Sequence, residues 1–181
     1  MINRTWSAFV AVIILLPLLS FSQTKFDQPI LITSAGQSAD VKLVQLLAKR
    51  QTIAGETKIL AKEADMAGVK TLIIVPGFSS KGLGSAGISQ EDEMNRVKEL
   101  VKTAQKKNIP IVMVHIGGTA RRGGQSDGFC KIIAENCKAM IVLKQGNEDG
   151  FFTAIAKRKN IPIKEVEKIG DAAVPLKALF K

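Results

Sequence analysis

Glycine and small polar residues are concentrated in three segments of this 181-residue chain, and each segment follows a short apolar run. The segments are residues 33–38, 79–87 and 115–123, and a stretch with helical spacing follows each of them. A repeated order of apolar strand, turn and helix is the pattern of an α/β protein with a mostly parallel sheet. In such folds the strand–helix turns meet at the carboxyl edge of the sheet, where ligands bind. We therefore predict a three-layer α/β/α sandwich, flavodoxin-like or related to the Rossmann fold.

Apolar runs and helical spacing also predict the individual elements. In chain order the predicted strands cover residues 29–32, 57–60, 71–75, 109–114, 140–143 and 163–166. The best-marked helix is predicted over 90–107, because Ser89 and Asp92 stand at the positions of a capping box. Further helices are expected at 41–48, around 129–137, at 149–159 and at 171–180.

The N-terminus has the pattern of a secretory signal peptide. Arg4 precedes an apolar core of about 14 residues, which is shorter than the roughly 20 needed to span a bilayer. Small residues then stand at positions that a signal peptidase reads, and an uncleaved N-terminal anchor is the alternative. We expect an exported, periplasmic or secreted protein without a membrane span after cleavage, divided into a signal peptide (1–22), a short leader (23–28) and a single α/β domain (29–181).

The chain is basic, with 26 Lys and Arg against 16 Asp and Glu and a formal net charge of +10. Such an excess of positive charge can bind nucleic acid or an anionic surface. The lysines, however, are spread along helix faces without a long basic run, and the chain contains no Tyr and a single Trp, Trp6. In the predicted domain, stacking platforms for single strands could then come only from Phe, and solvated lysine faces account for the charge, so we expect no nucleic-acid partner.

The first small-residue segment is a candidate anion site. Backbone N–H groups at a strand–helix turn, together with the start of the helix, attract anions. Ser34, Gly36, Gln37 and Ser38 are therefore candidate ligand-binding residues, and a plain turn capped by Ser38 is the alternative. The segment approaches the T-x-T-G-x-T pattern with which flavodoxins hold flavin mononucleotide. Ala35 replaces the middle hydroxyl and the ring stack is missing, so flavin is disfavoured and no cofactor is expected.

The second segment contributes Ser79, Ser80, Lys81, Gly82 and Gly84 as candidate ligand-binding residues. Its G-x-G-x-x-G pattern matches the dinucleotide fingerprint by letters, but it lies beyond the third strand rather than in a first βαβ unit. We therefore expect no dinucleotide. A long glycine-rich loop in a compact domain is often a mobile binding flap, which is how we interpret this segment. Its lysine is either a contact for an anion or a solvated side chain.

The third segment supplies His115, Gly117, Gly118, Arg121 and Arg122. The chain has one histidine, whose ordinary pKa suits proton transfer. We interpret it as a ligand contact or a structural residue, with acid–base catalysis as the alternative. No G-x-S-x-G elbow is present, and one histidine with two cysteines does not make a zinc site, so no metal is expected. Paired arginines can clamp a carboxylate or phosphate, whereas the alternative is solvation or a bridge to an acid in the neighbouring loop.

Both cysteines are predicted to be unpaired core residues. Cys130 and Cys137 stand seven residues apart on one predicted helix, which separates them by about 10.5 Å. A disulfide needs Cα atoms within about 7 Å, so the two are not paired unless the helix ends before Cys137.

Four segments carry a resemblance to a known family. They are residues 29–38, 79–87, 115–123 together with Ser126 and Asp127, and 146–150. On these segments the domain resembles a family of exported prokaryotic α/β proteins that is defined as a domain of unknown function. The resemblance covers the whole predicted domain and implies the fold and export, but it brings no activity.

The sequence therefore predicts an exported protein that binds a small anionic ligand at the carboxyl edge of its sheet. Two other classes of function stay open. One is a hydrolase or transferase that uses His115 as acid or base, and the other is a protein-interaction module of the cell envelope. The ligand, the oligomeric state and any protein partner are not specified by these patterns.

Overall fold

The computed structural model describes residues 25–181, so the predicted signal peptide lies outside the described residues. Within this range the chain forms one parallel sheet of six strands with the order β2-β1-β3-β4-β5-β6. The strands are β1 (Ile30–Ala35), β2 (Gly55–Thr57), β3 (Thr71–Pro76), β4 (Ile111–His115), β5 (Ala139–Leu143) and β6 (Ile163–Val166). The first five follow the 2-1-3-4-5 order of flavodoxin-like folds. The predicted parallel α/β fold is confirmed.

Six α-helices connect and cover the strands of the described region. They are α1 (Asp40–Arg50), α2 (Ser80–Ala86), α3 (Gln90–Lys106), α4 (Gly124–Asn136), α5 (Phe151–Lys159) and α6 (Ala173–Ala178). Helix α3 begins where the capping box predicts, because the Ser89 hydroxyl accepts from the Asp92 N–H at 3.0 Å. The Asp92 carboxylate in return accepts from the Ser89 N–H at 3.2 Å. No helix within residues 25–181 is long and apolar enough to cross a membrane.

The sheet has an apolar layer on each side, because successive side chains of a strand point to opposite faces. One face of the central strands packs against α3, α4 and α5, which contribute Val97, Phe129 and Phe152. The other face packs against α1 and α6, which contribute Val44 and Leu176. Helices on both faces of a buried sheet make the three-layer sandwich that the sequence predicts.

The second strand lies earlier in the chain than predicted. It covers Gly55–Thr57, and the apolar pair Ile59 and Leu60 follows its carboxyl end. Glycine at position 55 permits close pairing with β1, because a Cβ there would lie 2.1 Å from the Ile30 carbonyl oxygen. The apolar pair that suggested a strand instead lines a groove at the edge of the sheet.

The prediction of a mobile loop at 79–87 is wrong, because most of this segment is helix α2. Ser79 caps the helix by accepting a hydrogen bond from the Gly82 N–H at 3.1 Å. Gly82 allows close packing, since a Cβ there would lie 2.1 Å from the Gln37 carbonyl oxygen. Gly87 ends the helix with a φ of 65°, whereas the Cβ position of Gly84 is open. Helix packing and termination thus account for two glycines of the G-x-G-x-x-G pattern.

The leader predicted at 23–28 contributes to the core. Phe26 is buried, and its ring centroid lies 6.2 Å from that of Phe180. The Phe26 N–H donates to the Leu179 carbonyl at 2.7 Å. The two ends of the described chain therefore pack together.

The prediction of unpaired cysteines is confirmed. Cys130 lies in α4 and Cys137 is its C-cap residue, and both are free and buried. Burial raises the pKa of each thiol to about 12. Neither cysteine is therefore available as a thiolate at neutral pH.

Candidate functional site

The turn between β1 and α1 is already occupied by a carboxylate of the protein itself. Gly36 has a φ of 99° and Gln37 a φ of 61°. The carboxylate of Glu93, on α3, accepts from the Gly36 N–H at 2.8 Å and from the Gln37 side-chain amide at 2.9 Å. An internal anion thus takes backbone and side-chain donors that the sequence assigns to a ligand.

Glu93 is fully buried, and Arg96 on the next turn of α3 balances its charge. The guanidinium donates to both carboxylate oxygens at 2.7 Å. It also donates to the Ser34 carbonyl at 2.6 Å and to the Ala61 carbonyl at 2.9 Å. Because every charged atom has a partner, this pair fastens the carboxyl end of β1 to α3. Neither residue is among the predicted site residues, although a Glu on the apolar face of a well-marked helix is a signal for such a pair.

An open groove of about 610 Å³ lies beside this turn, at the carboxyl edge of the sheet. Candidate residues from all three predicted segments line it, namely Gln37, Ser38, Ser79, Lys81, Gly82 and Arg121. The remaining lining residues are Ala39, Val41, Lys42, Ile59, Leu60, Ser85 and Ala86. Part of each predicted segment therefore converges on one concave surface.

Arg121 is held at the groove by two glycines and a carbonyl. Its side chain passes over Gly77 and Gly117, where a Cβ would lie 3.2 Å from Arg121 Cβ and 2.1 Å from Arg121 Cγ, respectively. Its Nη1 donates to the Phe78 carbonyl at 2.9 Å, and its Nε lies 3.6 Å from Asp40 Oδ2. The absence of side chains at the two glycines makes room for the aliphatic part of the Arg121 side chain at the edge of the sheet.

Arg122 belongs to a separate cluster, so the two arginines do not form a clamp. Its Nε donates to Asp127 and its Nη2 to Asp149, each at 2.7 Å. Its guanidinium carbon lies 4.5 Å and 5.1 Å from the ring centroids of Phe151 and Phe152. The hydrogen bond with this guanidinium is the main reason that the pKa of Asp149 is lowered to about 2. The alternative of a bridge to acids in neighbouring segments is the arrangement observed.

His115 lies beneath the edge of the sheet and does not line the groove. Its side chain is 0% exposed, its ring packs 5.0 Å from that of Phe152, and its Nε2 donates to the Arg121 carbonyl at 3.0 Å. Burial lowers its pKa. A Cβ on Gly146 would lie 2.8 Å from His115 Cε1, so that segment closes over the ring. The imidazole supports the Arg121 backbone, and this geometry does not favour an acid–base role toward a ligand in the groove.

The other predicted residues lie around the groove rather than on its wall. Ser34 is buried, and its hydroxyl has no partner within the described residues. Ser80 and Gly84 are on the exposed side of α2, and Gly118 is buried against Leu143 and Gln145. Within residues 25–181 no group of three or more His, Cys, Asp or Glu side chains is arranged to hold a metal ion.

Residues 27–180, nearly the whole described region, match DUF6305, a domain of unknown function. The chain belongs to this family. This match confirms the predicted resemblance, which was to a family defined as a domain of unknown function. No curated protein matches the DUF6305 chain significantly.

Solved structures that align with this chain include hydrolases. A GDSL-like lipase from Bacteroides thetaiotaomicron aligns with 12% identity and a TM-score of 0.34, over 75% of this chain and 66% of the lipase. This chain therefore spans slightly less than two thirds of that lipase. AlinE4, an SGNH-hydrolase family esterase, aligns with 13% identity and a TM-score of 0.29, over 90% of this chain and 85% of the esterase. Likenesses this distant carry no argument about the function of the DUF6305 domain.

Proposed function

We propose that this DUF6305 domain binds a small anionic ligand in the groove at the carboxyl edge of its sheet. The observation that carries the proposal is the charge of the groove lining. Lys42, Lys81 and Arg121 line the groove, and no Asp or Glu of the described region is among its lining residues. A concave surface with convergent polar groups at the carboxyl edge of a parallel sheet is where α/β proteins bind small molecules.

The positive charge of the groove is only partly balanced by its surroundings. Asp40 lies 3.6 Å from Arg121 and offsets part of that charge. Glu93 does not add negative charge, because Arg96 pairs with it. The net local charge of the groove therefore favours an anion, most strongly at low ionic strength.

Two serine hydroxyls supply hydrogen-bond donors to the same site. The Ser38 oxygen accepts from the Asp40 N–H at 3.2 Å, and the Ser79 oxygen accepts from the Gly82 N–H at 3.1 Å. A hydroxyl whose oxygen accepts from the backbone keeps its own proton for a second bond. Both serines line the groove, so both protons can be donated to a bound anion.

The proposed site of action is outside the cytoplasm. The support is the N-terminal pattern of one arginine, an apolar core and small residues. Cell fractionation and N-terminal sequencing of the protein test this part. A new N-terminus near residue 23 in the exported fraction supports it, and a full-length cytoplasmic protein contradicts it.

The binding proposal is tested first with the intact protein. Native mass spectrometry of the gently purified chain detects a co-purified ligand, and an absorbance spectrum detects a chromophore. Calorimetric titrations with acetate, octanoate and inorganic phosphate then measure anion binding directly. We expect Lys81→Gln to weaken binding several-fold, because it removes a charge from the groove.

Lys49→Gln is the matched control for this variant. Lys49 is an exposed lysine of α1 that does not line the groove, so the two variants lower the net charge equally. Equal effects of the two variants would indicate binding through the overall charge of the protein. No binding of any of these anions would contradict the proposal.

A further inference from the structure

The lining of the groove changes in character along the order of the strands. Ile59 and Leu60 follow β2, at one edge of the sheet, and Arg121 follows β4. The turns after β1 and β3 lie between them and contribute Ser38 and Ser79. The groove therefore runs from an apolar end, past two hydroxyl groups, to a guanidinium.

The apolar end has a fixed position. The carbonyl of Ile59 accepts from the Thr33 hydroxyl at 3.0 Å and from the Ser34 N–H at 3.4 Å. Its side chain nevertheless stays 36% exposed, beside the partly buried Leu60 and the buried Val41 of the same lining. The backbone position of Ile59 is fixed while its apolar side chain stays exposed to water. Binding of an apolar group that covers this surface is therefore favourable.

The cationic end suits a ligand with a single negative charge. Arg121 is the one lining cation that is fixed from several sides, by Phe78, Gly77 and Gly117. The Asp40 carboxylate lies 3.6 Å from its Nε. A monoanion pairs with the outer side of the guanidinium, whereas a second or third negative charge meets repulsion from Asp40. Lys42 and Lys81 are exposed, so water and salt screen their attraction for an anion more than that of the fixed Arg121.

We infer that the ligand is a medium-chain monocarboxylate, with its carboxylate at Arg121 and its alkyl chain toward Ile59 and Leu60. This inference rests on the proposed anion-binding function and adds the ligand class. Ser38 and Ser79 donate to the carboxylate or to a polar group next to it. The groove volume of about 610 Å³ accommodates such a molecule.

The test is a chain-length series titrated into the full-length protein by calorimetry. Acetate, hexanoate and octanoate share the same charge and differ in apolar length. We expect affinity to rise about two- to fourfold for each methylene that enters the groove, the transfer free energy of a partly to fully buried methylene. Octanol and inorganic phosphate are the comparison compounds, and both are expected to bind more weakly than octanoate.

Two matched variants separate the groove from general surface hydrophobicity. Ile59→Ser removes apolar surface from the groove wall, and we expect it to abolish most of the gain from acetate to octanoate. Leu43→Ser is the control, because Leu43 is 41% exposed on α1 but does not line the groove. Both changes are at exposed side chains, so both variants are expected to fold.

The possible results distinguish the inference from the function on which it rests. Chain-length dependence that is lost in Ile59→Ser and kept in Leu43→Ser supports the inference. Phosphate binding as tight as octanoate binding overturns the inference and leaves the anion-binding function standing. Octanol binding as tight as octanoate, or equal losses in both variants, also overturns it. No binding of any of these anions overturns both.

Discussion

Two arginines that are neighbours in sequence lie in opposite environments at the edge of the sheet. Arg122 has two carboxylates, a carbonyl and two aromatic rings as partners, and its side chain is 11% exposed. Arg121 has one carbonyl and one carboxylate at 3.6 Å, and it lines an open groove. A guanidinium has five N–H donors. Arg122 uses its donors inside the protein, whereas Arg121 has donors left for a ligand.

A cation at the edge of a sheet indicates a ligand site only when the protein itself leaves some of its hydrogen-bond donors without partners. Both residues are arginines and they are adjacent in the sequence, so neither residue type nor position in the chain distinguishes them. Local backbone geometry separates them, because Gly77 and Gly117 provide a flat surface for Arg121. Asp127 and Asp149 provide a charged pocket for Arg122. We therefore expect changes at one arginine to affect binding and changes at the other to affect stability.

The largest expected effect concerns the turn that borders the groove. Glu93→Gln leaves the partly buried Arg96 guanidinium without its counter-ion, and we expect a loss of about 3 kcal/mol in the free energy of unfolding. Urea denaturation measures this loss. Glu91→Gln is the control, since Glu91 is an exposed acid in the same first turn of α3. A loss below about 1 kcal/mol would show that the pair does not fasten the β1 turn.

The second prediction compares the two arginines directly. Arg122→Gln removes the cation between Asp127 and Asp149, and we expect it to lower the free energy of unfolding by about 2 kcal/mol. Arg121→Gln is expected to cost about 1 kcal/mol and to weaken octanoate binding at least tenfold. Urea denaturation and calorimetry on the same preparations check both values. Loss of octanoate binding in Arg122→Gln alone would contradict the assignment of Arg121 to the ligand.

The general organisation of the fold could be predicted because it depends on local patterns. Buried parallel strands are continuous apolar runs, and the capping box at Ser89 and Asp92 marks the start of α3. The second strand was misplaced because Ile59 and Leu60 are apolar without being in the sheet. Exposed apolar residues at a groove and buried ones in a strand look alike in a sequence.

The candidate site was predictable only in part. Three loops at one edge follow from the alternation of strands and helices, and parts of all three line the groove. The helical state of Ser80–Ala86 was missed because glycines at 82 and 84 suggested a loop. Glu93 accepts from the Gly36 N–H, which the sequence assigns to a ligand. The residues of the β1 turn do not indicate this contact, because Glu93 is far away in the sequence. Tertiary contacts thus decided which predicted residues face the groove.

The third prediction concerns the surface on which Arg121 lies. Gly117→Ala places a Cβ 2.1 Å from the present position of Arg121 Cγ, so the guanidinium must move. We expect octanoate affinity to fall about tenfold, the loss of one charge-assisted hydrogen bond. Gly84→Ala is the control, because its Cβ enters open space in a helix and is expected to stabilise the protein by about 0.5 kcal/mol. Unchanged affinity in Gly117→Ala would show that the position of Arg121 is not critical.

The smallest expected effect is a pH dependence that originates beneath Arg121. Burial lowers the pKa of His115 below its ordinary value near 6.5, so the unfolded chain binds a proton there more readily than the folded chain. The corresponding stability is fully present above pH 6.5 and is lost as the pH falls from 6.5 toward the lower folded-state pKa. Melting temperatures of the protein and of His115→Gln between pH 8 and pH 5 measure this contribution.

We expect the melting temperature of the unmodified protein to decline more steeply below pH 6.5 than that of His115→Gln. Asp149 does not contribute in this range, because its folded-state pKa of about 2 and its ordinary value near 4 both lie below pH 5. The slope between pH 8 and pH 5 therefore reports on His115 and not on the titration of Asp149. Parallel curves for the two proteins would mean that the His115 proton does not couple to folding, and would leave the Nε2 bond to the Arg121 carbonyl as a purely structural contact.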